Sequence, residues 1–214
     1  MNRNLTELIF ILDRSGSMSG LEADTIGGYN SLMEKQKNEQ GEATITTVLF
    51  DDRYEMIHDH ADIRKVKPID NKTYYARGST ALLDAIGKTI NHVGNRHKFA
   101  PDHEVPGRTM VVIITDGYEN ASREFSLDKV KNMIEHQKEV YSWEFLFLGA
   151  NIDAVETARQ FGINTDRAAT YCADSIGTKT NFEAVSETVS CMRSCQSISP
   201  DWKKKIEAYT KNKN

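Results

Sequence analysis

Three apolar runs in the chain stop abruptly at a polar residue: "LTELIFIL" (5–12), "RTMVVIITDG" (108–117) and "WEFLFLGAN" (143–151). Continuous rather than alternating hydrophobicity over so short a length reads as strands buried on both faces. "ATITTVLFD" (43–51) is rich in β-branched residues and reads as a further strand. "RYEMIHDHA" (53–61) follows after a very short link, so the two are expected to form an antiparallel hairpin at a sheet edge. "RAATYCAD" (167–174) is a shorter strand.

The intervening segments carry a helical period. In 26–38, Ile26, Tyr29 and Met33 share a face. The Gly27–Gly28 pair there costs about 1 kcal/mol per glycine relative to alanine, or else admits a closely packed neighbour. Leu82, Leu83, Ile86, Ile90 and Val93 form a second stripe, with Ser79 or Thr80 placed to cap it. Ser126 caps a helix with Leu127, Val130, Ile134 and Gln137 on one side. Asn151 is the expected cap of "IDAVETARQF", closed by Gly162. A last helix runs from Ser175 past Cys195 with Phe182, Val185, Val189 and Met192 as its buried stripe. Strands alternating with helices indicate an α/β layer fold around a mostly parallel sheet, with one domain over 1–196. Residues 197–214 form a basic tail, either a short helix or frayed.

Composition narrows the class. A chain of 214 residues with 39% hydrophobic and 27% charged residues is globular. A net charge of -4 argues against nucleic acid as a partner. No apolar run approaches the roughly 18 to 20 residues that span a bilayer, so no membrane partner is expected. "MNRNLTELIFIL" is followed by no small-residue cleavage site, which makes the cytoplasm the expected location. Three cysteines, Cys172, Cys191 and Cys195, suggest reduced thiols rather than a disulfide framework. Cys191 and Cys195, four apart, would share a helix face. Segment 94–108, with Pro101, Pro106 and Gly107, is expected as an exposed loop that solvates Arg96, His97, Lys98 and His103. His58 and His60 would project from one exposed strand face, and Arg77 and Lys203 to Lys205 would lie at the surface.

The strand ends carry the candidate chemistry. "DRSGS" (13–17) sets an aspartate and two serines after the first strand. Alone, it is as well explained by a turn with a capping serine. Thr80 opens a helix, and Asp116 ends the strand "VVIIT". In an open α/β sheet, ligands bind beyond the carboxyl ends of the strands, where strand order reverses. If the first strand and the "VVIIT" strand flank that point, the three loops meet. The set is then two carboxylates and three hydroxyls. Zinc prefers nitrogen and sulfur ligands, so these hard oxygen donors suit magnesium, with manganese or calcium as substitutes. Two acids neutralise such an ion poorly, which gives it a reason to take a carboxylate from another protein. Asn120 is placed to support the loop.

"DRSGS", the threonine of "RGSTALLDAIG" and the aspartate of "IITDG" resemble, in order and separation, the three elements of the metal-ion-dependent adhesion site (MIDAS) of von Willebrand factor A (vWA) domains. The resemblance covers roughly residues 4 to 195. Its closest type is the single-domain bacterial version, similar in kind to those associated with tellurite-resistance systems. It implies a doubly wound, Rossmann-like six-stranded sheet ordered 3-2-1-4-5-6, with strand 3 antiparallel at the edge. It implies hydroxyl ligation by Ser15, Ser17 and Thr80, and ligation by Asp13 and Asp116 directly or through water. The expected function is non-enzymatic: metal-dependent capture of an aspartate or glutamate on a protein partner. The alternatives are a magnesium-dependent phosphatase of the haloacid-dehalogenase type and a scaffold with an incidental metal. The first needs a second aspartate where Ser15 stands, and the chain has no G-x-x-x-x-G-K-[ST] loop.

Overall fold

The computed structural model describes residues 1–213. Six strands form one sheet: β1 (Asn2–Asp13), β2 (Glu42–Phe50), β3 (Tyr54–Asp62), β4 (Pro106–Thr115), β5 (Glu144–Ala150) and β6 (Ala168–Tyr171), ordered β3-β2-β1-β4-β5-β6. All neighbours pair parallel except β2 and β3. The expected hairpin closes at Phe50 opposite Tyr54. From β1 the chain winds outward to β3, then returns beside β1 as β4 and winds the other way. The switch point therefore lies between the carboxyl ends of β1 and β4.

The continuous apolar runs are explained by two helical layers. Helices α1 (Glu22–Lys37), α5 (Ser175–Arg193) and α6 (Lys204–Lys213) cover one face, where Leu8, Phe10 and Leu12 pack with Tyr29, Phe182 and Ile206. Helices α2 (Leu82–Phe99), α3 (Leu127–Tyr141) and α4 (Ala154–Gln160) cover the other, where Ile9 and Ile11 meet Ile86, Ile134 and Ala158. Gly28 serves close packing: the Phe182 ring of α5 occupies the space its missing Cβ would need. The basic tail takes the helical alternative, burying Ile206 against the first layer as α6. Lys203 reaches back to the carbonyls of Thr165 and Ala168.

Several local expectations are corrected. Segment 94–108 is not one loop: α2 continues to Phe99 and β4 begins at Pro106, which leaves 100–105 as the connection. The helix persists because Arg96 and His97 reach from its last turns to Glu7, an acid buried within β1. Neither Ser79 nor Thr80 caps α2, whose N-cap is Ala81. Its first amides are instead met across space, Leu83 by the Glu119 carboxylate and Asp84 by the Ser122 hydroxyl. Asp153, not Asn151, caps α4 by accepting from the Glu156 N–H. Ser126 does cap α3, but Leu127 stays exposed on its first turn. Helix α5 ends at Arg193 and Cys195 has φ of 61°, so Cys191 and Cys195 do not share a helical face. All three cysteines are free thiols. Among the described residues no helix is long and apolar enough to cross a membrane.

His58 and His60 face opposite sides of the sheet. Two irregularities in the β2–β3 pairing add residues to β3, and His60 takes φ of 48°. An extra residue breaks the period of two that would align them. His58 meets Tyr29 of α1, while His60 lies 3.5 Å from Glu7 on the α2 side.

Burial alone would raise the Glu7 pKa. The nearby His60 ring, the hydrogen bond with His97 and the Arg96 charge outweigh it and hold the carboxyl at about 2. A pKa depressed on folding contributes stability that is present above the unfolded value of about 4.5 and is lost as pH falls towards 2. Glu7→Gln should therefore cost about 3 kcal/mol at pH 7, since it removes the counter-charge of the partly buried Arg96. In urea unfolding the gap to wild type should shrink between pH 4.5 and pH 2. A gap independent of pH would show that Glu7 acts through packing alone.

Candidate metal centre

The loop after β1, the segment preceding α2 and the end of β4 meet at the switch point. Asp13 is the last residue of β1 and is almost fully buried. One of its carboxylate oxygens accepts from the Ser15 N–H at 2.7 Å, an Asx turn that starts the loop. The other accepts from the Thr115 hydroxyl at 2.6 Å and the Asp116 N–H at 3.4 Å. Gly16 lets the next turn come close to a second loop, donating its N–H to the Gly78 carbonyl at 3.1 Å. The chain then enters a single helical turn, Gly16–Met18, that brings Ser17 back over Ser15.

The three hydroxyls converge. Ser15 Oγ and Ser17 Oγ lie 2.9 Å apart, and Thr80 Oγ1 donates to Ser15 Oγ at 3.0 Å. Thr80 is fixed through its N–H, which donates to the Asn120 side-chain oxygen at 2.9 Å. Gly117 closes the ring: a Cβ there would sit 3.0 Å from Ser17 Oγ and 3.2 Å from Thr80 Oγ1. Asp116 follows β4 and accepts from the Asn151 side-chain amide. All five residues singled out in the sequence, Asp13, Ser15, Ser17, Thr80 and Asp116, are thus brought together. Ser17 is the exposed member and the other four are buried, so the cluster opens to solvent on one side.

The electrostatics of this cluster suit a cation. Burial pushes the Asp13 carboxyl above its usual range, against the pull of its hydrogen bonds from Thr115 and Ser15. Burial raises Asp116 to about 6, with the Asp13 charge adding to it and the Asn151 amide opposing it. Asp13 and Asp116 take no part in any ion pair among the described residues. A positive ion placed among these oxygens would supply the missing counter-charge. Among the described residues no group of three or more His, Cys, Asp or Glu is placed to hold a metal. The donor set here, two carboxylates and three hydroxyls, is that of a hard, oxygen-preferring ion.

Sheet order, switch point and layers together match solved structures. The chain is similar to proximal thread matrix protein 1 from the mussel byssus, in a structure with a zinc-occupied MIDAS motif. The TM-score is 0.57 and the identity 16%, covering 88% of this chain and 46% of that one. It is also similar to a von Willebrand factor type A protein from Catenulispora acidiphila, with a TM-score of 0.56 and 14% identity over 88% of this chain and 43% of that one. The chain has a vWA fold. It is similar as well to the pilus adhesin SpaC from Lactobacillus rhamnosus GG, in its open conformation, at a TM-score of 0.67 and 9% identity, over 89% of this chain and 30% of that one. The chain spans less than half the length of each of these three proteins. No family model matches the sequence, and no curated protein matches it.

Within this vWA fold the loops are held from behind by residues the sequence reading passed over. Arg14, between the two metal-site candidates Asp13 and Ser15, is completely buried. Its Nε donates to the buried Asp51 carboxylate at 3.1 Å and its Nη2 to Glu55 at 2.6 Å. Arg77 is not an ordinary surface arginine: its Nε donates to the same Asp51 oxygen at 2.6 Å. The backbone is tied in parallel, with Arg77 N–H on the Arg14 carbonyl at 2.8 Å and Ala81 N–H on the Asp51 carbonyl at 3.0 Å. Asn151 was also missed in this role. Its φ of 54° marks a left-handed position, which asparagine tolerates, and aims its amide at Asp116 instead of at α4. The Asp-Asp-Arg turn after an apolar strand gave no sequence cue to a buried ion pair.

Asp51→Ala should cost about 3 kcal/mol, because it strands the buried Arg14 charge on the half-exposed Glu55. Urea unfolding measures the loss. Hydrogen exchange should show faster exchange at the Arg77 and Ala81 amides, which lie on the far loop. A loss under 1 kcal/mol with unchanged exchange would mean that the loops do not depend on this carboxylate.

Proposed function

We propose that this chain is a non-enzymatic binding module that captures an aspartate or glutamate of a protein partner through a divalent metal. The observation that carries the reading is the convergence of Ser15, Ser17 and Thr80 hydroxyls beside two unpaired, buried carboxylates at the open switch point. Asp13 and Asp116 would hold the ion directly or through water, and the three hydroxyls would complete the protein's share. Magnesium suits such a set, since it keeps waters and needs only one or two carboxylates. When bound, the ion supplies an open coordination position for a carboxylate from outside. The zinc-occupied MIDAS motif of the mussel protein supports a divalent metal in this kind of fold.

Binding is favoured over catalysis by what surrounds the cluster. Asp13 is held by three hydrogen bonds and faces Ser15, not a second carboxylate two residues on. Tyr74 donates its hydroxyl to the Asp13 carbonyl and is buried. The chain's own residues position oxygens and hold them still. The partner is then recognised by its acid, with exposed Tyr118 and Tyr75 near the loop ends as further contact surface.

Magnesium or manganese should raise the melting temperature of the wild type. At a hundredfold excess over Kd the gain is ~2.7 kcal/mol, or about 5–10 °C for a chain of this size. Asp13→Ala and Asp116→Ala should show no such shift. Ser15→Asp tests the charge balance: it should keep or tighten metal binding while weakening partner capture. A pull-down from native lysate, with EDTA and with excess magnesium restored, reads the capture. Capture that survives both EDTA and Asp13→Ala would replace the metal bridge with a simple scaffold. Unchanged capture by Ser15→Asp would overturn the role given to the neutral hydroxyls.

A further inference from the structure

The carboxylate oxygens of the cluster are not equally free. Asp13 Oδ1 accepts from the Ser15 N–H at 2.7 Å, and Asp13 Oδ2 accepts from the Thr115 hydroxyl at 2.6 Å. Asp116 Oδ1 accepts from the Asn151 side-chain amide. Asp116 Oδ2 accepts no hydrogen bond among the described residues. The hold on Asp116 comes from a fourth loop, between β5 and α4, which supplies none of the five candidate ligands.

That loop is pinned on both sides of the amide. Asn151 follows β5 directly, and the strand's last residue, Ala150, is fully buried. Ile152 is buried in the helical layer of α2, α3 and α4. Asp153 then caps α4, and the Ala154 N–H donates to the Thr170 hydroxyl of β6 at 3.3 Å. Asn151 itself is exposed, so its side chain is placed by the left-handed backbone and not by burial. Glycine and asparagine both suit that backbone, and of the two only asparagine brings a donor to Asp116.

The number of oxygens a carboxylate can offer discriminates between ions. Calcium takes roughly six to eight oxygens in flexible geometry and readily uses both oxygens of one carboxylate. Magnesium is smaller and demands near-octahedral geometry, which the narrow bite of a two-oxygen carboxylate distorts. We propose that Asn151 is a positioning residue that sets the metal preference: by holding Asp116 Oδ1 it leaves the ion one oxygen of that carboxylate, and so favours magnesium over calcium. The proposal rests on the metal reading of the cluster. Asp13 does not offer a second pair of free oxygens, because Ser15, Thr115 and the Asp116 N–H already engage both of its own. Removing a hydrogen-bond partner from behind a metal ligand commonly changes affinity by about 10- to 100-fold.

The test is calorimetric titration of the full chain with magnesium chloride and, separately, calcium chloride. A buffer at about pH 8 keeps Asp116 charged, since burial raises its carboxyl only to about 6. Asn151→Gly removes the amide and keeps a residue at ease in the left-handed backbone. Asn151→Asp keeps the shape, loses the donor and adds an acid. The ratio of the calcium Kd to the magnesium Kd should fall by about tenfold in Asn151→Gly and at least as far in Asn151→Asp. Thermal unfolding without metal reads any purely structural role of the residue. A lower melting temperature with an unchanged ratio would make Asn151 a loop residue only and overturn the proposal. An equal loss of affinity for both ions would overturn it too, since the amide would then hold Asp116 without selecting an ion. A wild type that binds both ions, with a ratio that neither variant moves, leaves the metal reading standing and removes this one. A wild type that binds neither ion removes the metal reading itself and this proposal with it.

Discussion

The carboxylate of Asp51 holds the business edge of this molecule together without belonging to the cluster it supports. It follows β2, beside β1, and accepts from Arg14 in the first loop and Arg77 in the loop before α2. These loops carry Ser15, Ser17 and Thr80. Two arginines on one buried acid would be costly if either charge were left over. Here Arg14 is shared with Glu55, and both Arg14 and Arg77 lie against the Tyr75 ring, at 5.6 and 5.1 Å. The backbone bonds from Gly16 to Gly78 and from Arg77 to Arg14 then set the loops in register. The hydroxyls meet at 2.9 and 3.0 Å because the chain behind them is fixed, not because they attract one another strongly.

That arrangement explains what could be read from the sequence and what could not. The five cluster residues stood at strand ends and beside a glycine, and strand ends in this layer fold must converge where the winding reverses. Periodicity likewise located each strand and each major helix to within a few residues. It failed wherever a side chain from a distant segment decided the outcome. Pro101, Pro106 and Gly107 suggested a loop from 94, yet α2 persists to Phe99 because Glu7 anchors Arg96 and His97. A capping serine or threonine was expected before α2, yet Glu119 and Ser122 supply the acceptors from beyond β4. His58 and His60 lost their common face to an added residue that no local pattern announces. Asn151 looked like a helix cap and instead donates to Asp116. Each failure involves a partner far away in sequence, which a window of neighbouring residues does not contain.

Glu7 and Asp51 show one device used twice. Each is an acid with no exposed surface, set in or at the end of a strand and compensated by cations from segments remote in sequence. Asp84 is a third variation, its carboxylate accepting the N–H groups of Arg123, Glu124 and Phe125 and so ordering the segment beyond β4. In all three cases the acid's charge is consumed by the fold. Asp13 and Asp116 differ in kind. They are buried to a similar degree, yet among the described residues no arginine, lysine or histidine lies within 4.0 Å of either carboxylate.

The contrast decides how the carboxyl end of the sheet should be read. Glu7 and Asp51 are paired with cations, and three backbone N–H groups outweigh the burial of Asp84; Asp13 and Asp116, at the switch point where three hydroxyls converge, keep carboxyls that burial holds above their usual range. Unpaired charge of one sign, held on a rigid frame, is a cost to the folded state that an oppositely charged ligand removes.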